Sequence, residues 1–222
     1  MIDFHSHIIP RADHGTSSVE TSLFQLRSAK QHGIDCIVAT SHFYPHRENA
    51  DMFLARRNKC YERLKEALTP DLPQIILGAE VLICDNIEEM PMLESLCVEG
   101  TNVLMLELPF TDFFDSYIYS VRTLIKRGYT VLLAHADRYN PVNIEKLLDV
   151  GAKIQLNVDS LTGIFTSKHL KRWISDGKVY ALGSDIHGED KKAHALFEKA
   201  VKRLGEDADF IFKSSKRLLG RL

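Results

Sequence analysis

Cysteine is scarce in this sequence and never paired in a motif. The four cysteines, Cys36, Cys60, Cys84 and Cys97, form no C-x-x-C pair, so neither a thiolate zinc site nor a dithiol redox motif is suggested. None has an arginine six positions later, so the C-x5-R loop of cysteine-based phosphatases is missing. In a reducing cytosol they would remain plain thiols. Long apolar runs are absent too: Val103–Leu108 and Thr130–Ala134 are far too short to cross a bilayer. Met1-Ile2-Asp3-Phe4-His5 lacks the basic-then-apolar pattern of a signal peptide, so a cytoplasmic location is expected. No charge sign dominates. A formal net charge of −2 gives no reason to expect nucleic acid or an acidic membrane as partner. Low-complexity segments, internal repeats and long linkers are likewise missing.

What is present is a chain of 222 residues, 45% of them hydrophobic, enough for one sizeable core. Short apolar runs alternate with helical patterns. Strands are expected over Ile2–His7, Cys36–Thr40, Gln74–Glu80, Val103–Leu108, Thr130–Ala134, Lys153–Asn157 and Val179–Gly183. Helices are expected over Ser18–His32, Glu48–Leu68, Ile87–Leu96, Phe114–Arg127, Asn143–Val150, Lys168–Asp176 and Lys191–Leu204. Ser214–Leu222 reads either as a final short helix or as a loose end. Strict alternation implies a parallel sheet covered by helices. Periodicity alone leaves a closed barrel and an open doubly wound sheet both standing.

The unusual polar residues favour the barrel. His5 and His7 close the first strand, and His42 follows the second. Glu80, Glu107 and His135 close the third, fourth and fifth, and Asp185 and His187 follow the seventh. All fall at C-terminal strand ends, which converge on one face of a parallel barrel. His5 and His7, two apart on a strand, point the same way and can grip one ion. Asp185-x-His187 repeats that spacing, although D-x-H is a common tripeptide. Helix capping or ion pairing would be the ordinary reading of Glu80 and Glu107. Each nevertheless ends an apolar run, where an unpaired carboxylate is costly. Imidazole and carboxylate donors without thiolates suit manganese, iron or zinc. Several such ions held close together suit phosphate-ester hydrolysis.

The motifs Asp13-x-Gly15, Ala39-Thr40-Ser41-His42, Gly78-Ala79-Glu80, Leu106-Glu107, Ala134-His135-x-x-Arg138-Tyr139 and Ser184-Asp185-x-His187 stand in order over almost the whole length. With His5-Ser6-His7, they resemble the polymerase and histidinol phosphatase (PHP) superfamily, and within it the capsule-type bacterial protein-tyrosine phosphatases. That resemblance implies a distorted TIM-like (β/α)7 barrel forming a single domain over residues 1–222. It also implies three divalent metal ions, manganese first, with iron or zinc as alternatives. By position, one ion would be held by His5, His7, Glu80 and Asp185. A second would be held by Glu107 and His135, with Glu80 bridging. A third would fall to His14, His42 and His187. Arg138 and His42 are the candidates for a direct catalytic role, and a planar guanidinium fork fits a phosphoryl group.

Two departures stand out. The family usually reads Asp-Asp-Gly where this chain reads Asp13-His14-Gly15, which would give a three-imidazole site better suited to zinc or iron. Where relatives often carry a phosphate-binding arginine, this chain offers only Lys191 or Lys192, which stay unassigned. The implied substrate is a phosphotyrosine-containing protein, a bacterial tyrosine kinase tail that controls capsule or exopolysaccharide synthesis. Hydrolysis would be direct and in line, with no phosphocysteine. A small-molecule phosphatase of the histidinol-phosphatase type is the alternative enzyme, and a non-catalytic metal-binding regulatory module the alternative class. A proofreading nuclease fits less well, because no basic stripe is present.

Overall fold

The computed structural model describes residues 1–163 and 166–220. Seven strands run in chain order: β1 (Ile2–Ser6), β2 (Cys36–Phe43), β3 (Gln74–Leu82), β4 (Val103–Glu107), β5 (Thr130–Leu133), β6 (Lys153–Asn157) and β7 (Val179–Gly183). Around them lie α1 (Val19–Gln31), α2 (Ala50–Lys65), α3 (Asp115–Lys126), α4 (Pro141–Asp149), α5 (Lys168–Ser175), α6 (Ala193–Leu204) and α7 (Glu206–Leu218). Every neighbouring pair is parallel, and the spatial order is the chain order, β1 to β7. A doubly wound sheet needs a point where strand order reverses, and this sheet has none. It is a nearly closed TIM-like (β/α)7 barrel. Among the described residues, no helix is long and apolar enough to cross a membrane.

The β7–β1 seam is thinly laddered. Asp185 N–H donates to the His5 carbonyl at 2.8 Å, and His7 N–H donates to the Ile186 carbonyl at 3.2 Å. A buried side chain reinforces it. Asp3 accepts from Ser184 N–H at 2.9 Å and from the Ser184 hydroxyl at 2.6 Å. The β1–β2 register slips between Asp3 and Ser6. That irregularity lets Phe4 pack among the barrel-lining residues while the adjacent His5 joins the polar cluster above.

Local signals fix most boundaries. Ser18 caps α1 by accepting from Thr21 N–H, and Asn49 caps α2 by accepting from Met52 N–H. Pro141 opens α4 behind the cap Asn140, two residues ahead of the expected start. His42 lies within β2 rather than after it, because β2 continues to Phe43. The expected helix Ile87–Leu96 is instead two 3-10 turns, Ile87–Glu89 and Leu93–Leu96. Pro91 separates them: it drives Met90 into extended backbone at ψ 129°, and Met92 turns left-handed at φ 59°. α7 begins at Glu206, well ahead of the expected tail, whose last two residues, 221 and 222, lie outside the described residues.

Two apolar layers carry the fold. One joins strands to helices through Leu26, Phe53, Val121, Leu147, Trp173 and Phe197. The other fills the barrel with Phe4, Val38, Met105, Leu132 and Ala181, joined by Leu218 and Leu219 from the end of α7. The polar residues occupy the opposite, C-terminal end of the strands.

Candidate metal centre

Glu80 is the hub. Continuing the inward-facing rows Ile76–Gly78–Glu80 and Met105–Glu107, both glutamates reach the C-terminal mouth of the barrel. Glu80 Oε2 lies 3.3 Å from His5 Nε2, 3.2 Å from His7 Nε2 and 2.9 Å from His42 Nδ1. Glu80 Oε1 lies 2.7 Å from His135 Nε2. Glu107 stands 3.7 Å from both His42 and His135. Asp185 Oδ1 is 3.5 Å from His5 Nε2 and 3.4 Å from His7 Nε2. Among the described residues, three donor groups are tight enough to share an ion: His5–His7–Glu80, His42–Glu80–Glu107 and His7–His42–His187.

Each predicted residue can therefore be placed. His5, His7, Glu80 and Asp185 come together as expected, and so do Glu80, Glu107 and His135. His187 meets His42, but His7 rather than His14 completes the tight triad with them. His14 is exposed, its ring stacked on His42 at 4.7 Å and tilted against His187 at 4.9 Å. Arg138 sits at the rim, its side chain 41% exposed and its Nη2 2.8 Å from Asp185 Oδ2. Lys191 and Lys192 are exposed just ahead of α6.

The donor set fits a cation. His5 and His7 point Nε2 at each other across 3.1 Å. Their other nitrogens are taken: His7 Nδ1 donates to Asp13 Oδ2 at 2.8 Å, and His5 Nδ1 donates to Gln155 Oε1 at 3.0 Å. Both tautomers thus leave the inward Nε2 lone pair free, the arrangement a ligating imidazole needs. Glu80 Oε2 and His42 Nδ1 are buried 2.9 Å apart yet not aligned for a hydrogen bond, an expensive condition that coordination relieves.

Electrostatics agree. Burial pulls the His5 imidazole down, but Glu80 and Asp185 outweigh it and lift its pKa to about 9. Burial lifts Glu80, yet the charge on His5 and the bond from His135 hold it well below the carboxylate range. Burial and the neighbouring Glu80 push Glu107 up to about 8. The carboxylates thus favour positive charge at the centre, as protons or as cations. His135 and Asp185 also adopt left-handed backbone, at φ 30° and φ 51°. Such strain costs non-glycine residues about 1–2 kcal/mol each and gathers at functional sites.

The sequence model of the capsular polysaccharide synthesis family CpsB/CapC matches residues 1–214. The chain belongs to that family. Among its relatives, the tyrosine-protein phosphatase YwqE of Bacillus subtilis (strain 168) is 29% identical over 241 residues, spanning 100% of this chain and 92% of its own. A solved structure from work on YwqE and on CpsB of Streptococcus pneumoniae, called unique metal-dependent tyrosine phosphatases, superposes with TM-score 0.82 at 24% identity. It covers 100% of this chain and 95% of that one. A TatD family hydrolase from Entamoeba histolytica shares the fold more distantly, with TM-score 0.62, 9% identity, and 98% and 97% of the two chains covered.

This member of the CpsB/CapC family carries supporting residues that sequence reasoning did not assign. Asp13 also accepts from Gly15 N–H and from His42 N–H, tying the first loop to β2. Gln155 accepts from His135 N–H at 2.7 Å and donates to Asn157, whose amide donates to Asp185 Oδ2 at 3.0 Å. A signal existed for the last two. Lys153-Ile-Gln-Leu-Asn157 alternates polar and apolar, whereas parallel strands buried on both faces usually read apolar throughout. Two glycines make room for the imidazoles. A Cβ on Gly15 would fall 2.2 Å from His7 Cβ, and one on Gly183 would fall 2.5 Å from His5 Cβ.

Proposed function

We propose that this chain is a metal-dependent phosphomonoesterase that removes phosphate from tyrosine in a protein substrate. The observation that carries this reading is the meeting of His5 Nε2, His7 Nε2 and Glu80 Oε2 within 3.1 to 3.3 Å, backed by Asp13 and Gln155. We assign His5, His7, Glu80 and Asp185 to one divalent cation and Glu80, Glu107 and His135 to a second. His42 and His187 hold a third, with His14 or His7. Manganese is the first expectation, iron and zinc the alternatives. Bound cations supply an activated water and screen the phosphate charge.

The chain's own residues do the rest. Arg138 offers a planar fork to the phosphoryl oxygens and is held over the cluster by Asp185. Tyr139 does not serve as the acid, because its hydroxyl donates to the Leu108 carbonyl and burial pushes its pKa up. A phenolate, with a pKa of about 10, leaves with little help. A cysteine nucleophile does not fit: Cys36, Cys60 and Cys97 are buried, and burial pushes Cys97 up to about 11. The names of the relatives and of the family support a phosphotyrosyl protein in capsular polysaccharide synthesis as substrate; the partner proposed for it is a bacterial tyrosine kinase tail.

The test compares turnover of a phosphotyrosine peptide and of histidinol phosphate, before and after chelation, with manganese, iron or zinc added back. Peptide turnover that chelation abolishes and metal restores is expected. Undiminished activity of metal-free protein would overturn the proposal, and preference for histidinol phosphate would move it to a metabolite.

A further inference from the structure

Among the described residues, Phe110 is the most exposed large apolar side chain, at 68%. It lies three residues past Glu107, on the loop joining β4 to α3. That loop is anchored without it. Phe113 and Phe114 both pack edge-on against Tyr117, at 5.9 Å and 5.6 Å between ring centroids. Phe110 instead faces the metal centre. Its ring is within 14° of parallel to His135 at 6.3 Å, and lies 5.6 Å from Tyr139. Tyr139 is itself fixed by its bond to the Leu108 carbonyl. The other aromatic ring beside the cluster, Tyr44, already carries His42 at 5.2 Å and the Arg47 guanidinium at 4.7 Å.

We infer that Phe110 is a specificity-determining platform that stacks the aromatic ring of an aryl phosphate while the phosphoryl group sits at the cluster. The inference rests on the phosphatase reading above and deepens it. Aromatic pairs favour centroid separations of roughly 4.5–7 Å, and Phe110 stands within that reach of His135. An apolar ring left in water beside a highly charged centre gains most by covering another ring. An aliphatic phosphoester offers nothing of the kind.

The experiment measures kcat/KM for phosphotyrosyl and phosphoseryl peptides of identical flanking sequence, using full-length protein loaded with the cation that supports turnover. In Phe110→Ala and Phe110→Leu the phosphotyrosyl-to-phosphoseryl ratio is expected to fall about tenfold, and Phe110→Tyr is expected to keep it. An independent readout uses Phe110→Trp. The natural chain has one tryptophan, Trp173, which is buried, so an exposed fluorophore at position 110 is distinguishable. Phenylphosphonate is expected to quench it saturably and more tightly than methylphosphonate, again by about tenfold. An active wild type whose ratio survives Phe110→Ala overturns the inference alone. So does a Phe110→Leu variant that behaves as wild type, since bulk rather than stacking would then suffice, and so does equal quenching by the two phosphonates. A wild type inactive on both peptides overturns the phosphatase reading and the inference with it.

Discussion

At the scale of single residues, the site depends as much on carboxylates and amides behind the imidazoles as on the imidazoles themselves. Asp13 makes three bonds, to His7, Gly15 and His42. Asp13→Asn keeps the shape but weakens control over the His7 tautomer. Cation affinity is expected to drop about 10–100-fold, measured by calorimetric metal titration, with little loss of helix signal. His194 lies outside the site and tests a different balance. It is fully buried, neither ring nitrogen has a hydrogen-bond partner among the described residues, and burial aided by His32, against Asp190, lowers its pKa to about 4. Its folded pKa lies below the unfolded value of about 6.5, so folding requires the neutral ring. The stability tied to that neutrality is complete above pH 6.5 and is lost as pH falls toward 4, on the order of 3 kcal/mol. Denaturant titrations across this range should show the acid loss in the natural chain and a flatter limb in His194→Leu. The ligand-type residues were legible in the sequence because each is a polar group ending an apolar run. Asp3 was not, because its role appears only once strands distant in sequence lie side by side, and Gln155 and Asn157 were marked only by the polar breaks they make in β6.

At the scale of elements, strands were read more surely than their connections. The β6 and β7 runs match the structure at both ends, and each starts two residues after a left-handed glycine, Gly151 at φ 104° and Gly177 at φ 64°. After β3, apolar spacing over Ile87–Leu96 imitates a helix, and the backbone preference imposed by Pro91 overrides it. At the start of α7, Gly205 and the charged run after it look like a loop, yet Glu206, Asp207 and Asp209 suit a helix N-terminus. This helix is structural. Leu218 packs with Ile2 and Phe4 in the barrel-lining cluster, and Ser215 donates to the Tyr180 carbonyl at 2.9 Å. Leu218→Ala is expected to cost roughly 2–4 kcal/mol, read as a lower urea midpoint with an unchanged slope. An unchanged midpoint would show that α7 is dispensable.

At the scale of the whole molecule, alternating pattern and ligand placement together pointed to a barrel where either alone left an open sheet standing. The sequence held no account of how the barrel closes. The β7–β1 seam has few ladder bonds and leans on Asp3, while His5 and His7 on one side face Asp185 and His187 on the other. Cations gripped from both sides are expected to lock the seam. Saturating metal should raise the melting temperature, with about 2.7 kcal/mol of stabilisation at a hundredfold excess over Kd. Hydrogen exchange should slow most at the amides of Asp185 and His7. Uniform slowing, or none, would count against this closure.

A polypeptide emerging from the ribosome would present His5, His7, Glu80, Glu107 and His135 long before Asp185 and His187 exist. The donor set therefore stays incomplete until the last of the seven strands has been made. Competence for chemistry arrives only after β7, and chains terminated before Asp185 would be built without a finished centre.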